Sequence, residues 1–188
     1  MVYDGDNSNR RIVLERVAMR DPIAVLENDQ EEYLKLCIAL EEIADALPGN
    51  VDFAKAEAAV LLLRDGFANH VSAQEELLFP ILRRRAIASD HIDALLGQIE
   101  YEHAVDQGLA VEVAETLADL IEQRRAAKPE MLGYLLRCFF EGYRRHAAWE
   151  KHVIYVICRN RLTADDCVDL TLRLASAARF TFGPNLMS

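Results

Sequence analysis

Three pairs of polar side chains stand four residues apart in stretches that are otherwise apolar at helical spacing: His70 with Gln74, His103 with Gln107, and His146 with Glu150. Residues four apart share one face of an α-helix, so each pair points two polar groups the same way. Gln30 interrupts an earlier stretch in the same manner. Buried imidazoles and a buried carboxylate are costly unless they hydrogen-bond to one another or bind a cation. Imidazole nitrogen with carboxylate oxygen is a donor set that suits iron, zinc or manganese. The candidate ligands are therefore His70, His103, His146 and Glu150. His91 and His152 fall beside the apolar positions and are expected on the surface.

The elements that must position these groups are helices. Periodicity predicts four long ones, at about 22–47, 52–85, 89–126 and 129–160, and a shorter one at about 163–178. Asp21 is placed to cap the first, with Pro22 at its first helical position. Pro48-Gly49-Asn50 and Lys128-Pro129 are breaks, and Pro80 is expected to kink or shorten the end of the second helix. The buried stripe of the second helix is expected to pass through His70 and Gln74 to Leu77 and Ile81. In the third it passes through His103 and Gln107 to Ala110, and in the fourth through Tyr143, His146 and Glu150 to Val153 and Ile157. The polar breaks fall level. Gln30 and His70 each lie roughly 26 Å from the loop that joins their helices, at a 1.5 Å rise per residue. His103 matches His70 across the second loop. The third loop fits less well, with about 23 residues back to His103 and about 17 to 21 forward to His146 and Glu150. Tyr33 and Tyr143 stand about one turn from the layer, as core residues or as donors to a ligand.

Short loops between long amphipathic helices make neighbours antiparallel, so the expected fold is all-α, an up-and-down four-helix bundle with an additional short C-terminal helix. The 188 residues form one expected domain, 1–188, with its core at about 21–179 and ends at 1–9 and 182–188 that should fray. Glycine (8) and proline (5) are scarce, which favours uninterrupted helices. A net charge of -10 argues against nucleic acid as a partner. No apolar run approaches the roughly 20 residues that span a bilayer, and the polar start lacks a signal core, so a cytoplasmic protein with four reduced cysteines is expected. Neither a glycine-rich phosphate loop nor a nucleophile–base pair points to an enzyme. Nothing sets an oligomeric state.

Several phrases together resemble the hemerythrin-like (HHE cation-binding) family from about Asp21 to Arg179. Asp21-Pro22-Ile23-Ala24-Val25-Leu26-Glu27-Asn28-Asp29-Gln30 is similar to its opening D-P-x-x-x-L-x-x-D-H. His70 to Pro80 resembles H-x-x-x-E-E-x-x-L-F-P, with Gln74 and Glu75 at the two acidic positions. Glu102-His103 and His146-x-x-x-Glu150 fall at the remaining ligand positions, and Leu162 to Asp166 looks like the start of the family's last helix.

The resemblance implies two non-haem irons held by about five histidines and two bridging carboxylates, used to carry or sense dioxygen, handle nitric oxide or sense iron. This chain departs from that pattern: Gln30 stands at the first-helix histidine, Gln74 at a bridging glutamate, and Gln107 where some members have a second histidine. A neutral amide is a poorer ligand than a bridging carboxylate. What remains, His70, His103, His146 and Glu150, suits a single divalent ion, iron ahead of zinc or manganese, and a diatomic molecule as its ligand. A two-iron centre would have to recruit Gln30, Gln74 or Glu75, and Glu75 points about 100° away from Gln74 on a regular helix. The alternative is a metal-free layer in which glutamines and histidines satisfy one another, in a binding or regulatory scaffold.

Overall fold

The computed structural model describes residues 20–177; the expected frayed ends lie outside them. Helix α1 is Pro22–Ala46, and the Asp21 carboxylate caps it by accepting from the Ile23 amide at 2.9 Å. Helix α2 occupies residues 53–85 as one rod of successive helical segments. A single turn at Ala88–Asp90 leads into α3, Ile92–Gln123. Helix α4 occupies residues 129–161, and α5 is Ala164–Ala177. Thr163 and Asp166 cap α5 reciprocally: Oγ1 of Thr163 accepts from the Asp166 amide at 3.2 Å, and Asp166 Oδ2 accepts from the Thr163 amide at 2.9 Å. No strand occurs among the described residues.

Helix α1 packs between α2 and α4, and α3 packs between the same two on the far side, which is the up-and-down square the sequence predicts. Ion pairs Glu27–Arg159 (2.6 Å), Glu41–Arg144 (2.6 Å) and Asp45–Arg137 (2.7 Å) run down the α1–α4 seam in opposite chain directions, so those helices are antiparallel. Helix α5 leans on α1 and on α2, where Arg85 grips Asp166 through two nitrogens at 2.7 and 3.1 Å. That guanidinium holds the Asp166 carboxyl down to about 2. No helix among the described residues is long and apolar enough to cross a membrane.

Apolar packing fills the bundle on both sides of one polar level. One cluster takes Tyr33 to Ala44 from α1, Ala56 to Val71 from α2, Ala110 to Leu120 from α3 and Leu132 to Ala147 from α4. The other takes Ile23 and Leu26, Leu78 to Leu82, Ile92 to Ile99, and Ile154 to Cys158. Gln30, Gln74, His103 and Glu150 fall between the two sets on their respective helices. The looser fit at the third loop has a local cause. Arg124 takes a left-handed φ of 53° and stops α3 at Gln123, three residues before the expected end near Ala126, which brings His103 closer to the loop and level with His146 and Glu150.

Helical periodicity slips at three wide, π-type turns: Leu62–Gly66, Ala73–Leu78 and Glu150–Ile154. Each accommodates an extra residue per turn, so the buried stripe jumps by one beyond it. Leu78 is buried in place of the expected Leu77, and Ile154 and Cys158 in place of Val153 and Ile157. Pro80 lies just past the second wide turn, and α2 runs on to Arg85, the end that periodicity predicts. A proline ring crowds the carbonyl four residues back, and a widened turn relieves that contact.

Gly66 closes the first wide turn, and a Cβ there would stand 2.8 Å from the Tyr33 hydroxyl oxygen and 3.0 Å from Leu62 Cδ1. The Tyr33 ring is wedged 4.7 Å from the His70 ring and 5.3 Å from Phe67, centroid to centroid. Alanine in place of an interior helical glycine ordinarily stabilises by about 0.5–1 kcal/mol. Here overpacking outweighs that gain, and Gly66→Ala is expected to destabilise the fold by about 1–2 kcal/mol. A lowered urea midpoint with an unchanged slope is the expected readout, and an unchanged midpoint would show that Tyr33 is free to move.

Candidate metal centre

All six candidate side chains reach the polar level and are buried: Gln30, His70, Gln74, His103, His146 and Glu150 are each at most 2% exposed. His91 and His152 face outward, as expected. The six do not form one ring of equivalent ligands. Donor atoms of His103, His146 and Glu150 lie within 4.8 Å of one another, the group among the described residues best placed to hold an ion. Nε2 of His146 is 3.4 Å and Nε2 of His103 is 3.7 Å from Glu150 Oε1, and the two imidazole rings stand 4.8 Å apart. His70 belongs to the layer but not to that group: its Nε2 receives the Tyr143 hydroxyl at 3.2 Å.

Each histidine is aimed by a carboxylate on the preceding helix. Asp29 of α1 meets His70 Nδ1 at 2.7 Å, Glu75 of α2 meets His103 Nδ1 at 2.7 Å, and Asp106 of α3 meets His146 Nδ1 at 2.9 Å. A carboxylate only accepts, so each Nδ1 carries the proton and each Nε2 turns toward the bundle axis. Asp29 and Glu75 sit beside Gln30 and Gln74 in sequence, so the side chain next to each glutamine supports a neighbouring helix's histidine. The sequence reading placed Gln107 on the buried stripe, but Asp106 is the residue at 4% exposure, while Gln107 is half-buried at a groove with Leu63 and Phe67. A three-residue step from His103 reaches the core as well as a four-residue step does, and a buried carboxylate at that step supports His146.

Glu150 is fully buried and its two oxygens have different surroundings. Oε2 accepts from Gln30 Nε2 at 2.6 Å and from Gln74 Nε2 at 3.2 Å; Gln74 Nε2 also donates to the Tyr155 hydroxyl at 3.2 Å. Oε1 has no hydrogen-bond partner, and neither do His103 Nε2, His146 Nε2 and Gln74 Oε1. Burial alone would raise the Glu150 carboxyl, but the facing His103 and His146 imidazoles outweigh it and hold the group well below the usual carboxylate range. Burial alone would lower His146, but its hydrogen bond to Asp106 and the facing Glu150 outweigh it and push the imidazole up to about 10. The Tyr143 and Tyr155 phenols are pushed up by burial and by Glu150, so both keep their protons. These groups favour a positive charge between His103, His146 and Glu150, whether a proton or a metal cation. Two nitrogens and a carboxylate oxygen without other partners fit such a cation.

Fold and site together define a helical bundle with a buried histidine–carboxylate cluster at mid-height. The family model of the hemerythrin HHE cation binding domain matches residues 21–158, and the chain belongs to that family. The match covers α1 to most of α4 and leaves α5 outside it. Searches of curated proteins and of solved structures give no match.

Outer partners of metal-bound histidines commonly carry 10–100-fold of the affinity. Asp106→Ala removes the acceptor from His146 Nδ1 and frees the ring to turn. It is expected to weaken cation binding roughly 10- to 100-fold, read by competition against a chelator of known affinity. An unchanged affinity would show that packing alone orients His146.

Proposed function

We propose that this chain is a cation-binding protein that holds one divalent ion between His103, His146 and Glu150, with iron ahead of zinc or manganese. The observation behind this reading is the set of unpartnered atoms. His103 Nε2, His146 Nε2, Glu150 Oε1 and Gln74 Oε1 are all buried at one level without hydrogen-bond partners. Leaving such groups unsatisfied costs on the order of 1–3 kcal/mol each, and a cation between His103, His146 and Glu150 answers three of them. Gln74 would contribute at most a weak amide oxygen, and His70 would stand outside the coordination. A bound ion would supply Lewis acidity, and iron would add a one-electron redox couple. The chain's own residues hold the imidazoles in register through Asp106 and Glu75 and surround the site with apolar packing that excludes water. The role that fits this centre is sensing or handling of iron, or of a diatomic ligand such as oxygen or nitric oxide.

The metal-free scaffold draws support from the other half of the layer, where the Gln30 and Gln74 amides satisfy Glu150 Oε2, and Asp29 and Tyr143 satisfy His70. It leaves Gln74 Oε1 without a partner, and it answers His146 Nε2 and Glu150 Oε1 only by a proton held between them at 3.4 Å. Metal analysis of protein purified without a histidine tag, stripped with a chelator and reloaded, separates the two readings. About one retained equivalent of iron, with an absorption spectrum that changes on reloading, is the expected result. Retention of none would favour the scaffold.

A further inference from the structure

The polar layer is asymmetric about Glu150. On the Oε1 side stand the unpartnered atoms of His103 and His146. On the Oε2 side the two strongest donors to a second cation, Oε2 itself and His70 Nε2, already have a proton directed at them. Oε2 has the amides of Gln30 at 2.6 Å and Gln74 at 3.2 Å. His70 Nε2 has the Tyr143 hydroxyl at 3.2 Å.

We propose that Gln30 and Gln74 close a second ion position, placing amide hydrogens on the Glu150 oxygen through which a second cation would be bridged to the first. The inference rests on the reading of His103, His146 and Glu150 as an ion-binding set, and it fixes the stoichiometry of the centre at one. An amide N–H brings partial positive charge to a buried carboxylate without bringing a full charge into the core. It satisfies Oε2 as a cation would, but it leaves no lone pair to share. Gln74 connects the two halves: its nitrogen faces Oε2 and Tyr155, while its oxygen is left without a partner. His70 is excluded for the same reason. Its inward nitrogen is occupied by the Tyr143 hydroxyl, and Tyr143 is itself stacked on Phe139 with centroids 6.1 Å apart and rings 6° from parallel. Binding a second ion would require both amides and the Tyr143 hydroxyl to leave their acceptors together.

The test is metal stoichiometry in the full chain, stripped, loaded anaerobically with ferrous iron and freed of unbound metal. The native chain is expected to retain one iron, and Gln30→His combined with Gln74→Glu two. Equal retention of one iron by both proteins overturns the role of the glutamines while leaving the ion-binding reading in place. Two irons on the native chain also overturn it. No iron on either protein removes the ion-binding reading, and the closed position with it. Should the double variant fail to fold, the native chain decides alone. After oxidation, an isolated high-spin ferric EPR signal accounting for all bound iron is the expected result, and a magnetically coupled, EPR-silent pair overturns the proposal.

Discussion

Glu150→Ala, His103→Ala and His146→Ala are each expected to weaken cation binding more than about 100-fold, beyond the range typical for loss of an outer partner, whereas His70→Ala weakens it less than about tenfold. The four residues are equivalent in sequence and are not equivalent in the fold. His70 is as buried as the others, at 2% exposure, but its inward nitrogen is taken by Tyr143. Glu150 is the one carboxylate whose oxygen faces both other imidazoles. Alanine at 150 also strips the acceptor from the Gln30 and Gln74 amides, so its fold must be checked. The two histidine variants supply the comparison with that carboxylate intact. Isothermal titration with manganese or zinc, or competition with a chelator for ferrous iron, gives the ratios. A His70→Ala deficit as large as that of His103→Ala would mean that His70 swings off Tyr143 to coordinate, and the division of the layer into two halves would fall.

The bundle and its polar level were legible from spacing alone. The four interruptions Gln30, His70, His103 and His146 sit at similar distances from their loops, and helical rise is regular enough to carry that count across 25 residues of α1. What spacing could not show were the places where rise and turn change. The wide turns at Ala73–Leu78 and Glu150–Ile154 move the stripe from Leu77 to Leu78 and from Val153 to Ile154, and no residue type announces them except Pro80 beside the first. Both lie at the candidate site, with Gln74 inside one and Glu150 opening the other.

Side-chain support was harder to read than the ligands themselves. Asp29, Glu75 and Asp106 are ordinary acidic residues next to or near stripe positions, and only the neighbouring helix reveals that each meets an imidazole. On a regular helix Glu75 points about 100° away from Gln74, so as a ligand it would need a distorted helix. It instead turns toward α3 and holds His103 by its outer nitrogen. Tyr143 stood out by its place one turn from the layer. Tyr155 did not, because it follows the wide turn at Glu150–Ile154, where a regular count leaves it off the buried face. The glutamines were read as losses, and in the fold they are also hydrogen-bond donors to Glu150 Oε2. Residue type identifies what a side chain can offer, but which oxygen of a carboxylate receives it depends on packing across four helices.

Saturating iron, zinc or manganese is expected to raise the melting temperature, and His103→Ala and Glu150→Ala are expected to abolish the rise. An ion that binds only the folded chain stabilises it by mass action, about 2.7 kcal/mol at 100 times its dissociation constant and about 4.1 kcal/mol at 1,000 times. For a domain of this size each kcal/mol moves the midpoint by about 2–4 °C, so the shift should be roughly 5 to 15 °C. The source of the gain is local. Three buried atoms lacking partners in the fold, His103 Nε2, His146 Nε2 and Glu150 Oε1, find one in the ion, and these ligands, drawn from α3 and α4, become cross-linked at mid-height. Gln30→Ala deletes a donor to Oε2 and should lower the metal-free midpoint while leaving a sizeable metal-induced rise, since Gln30 touches the opposite side of Glu150. Differential scanning calorimetry with and without chelator measures each difference on the same protein. A rise of equal size in His103→Ala would place the stabilising ion somewhere other than between His103, His146 and Glu150.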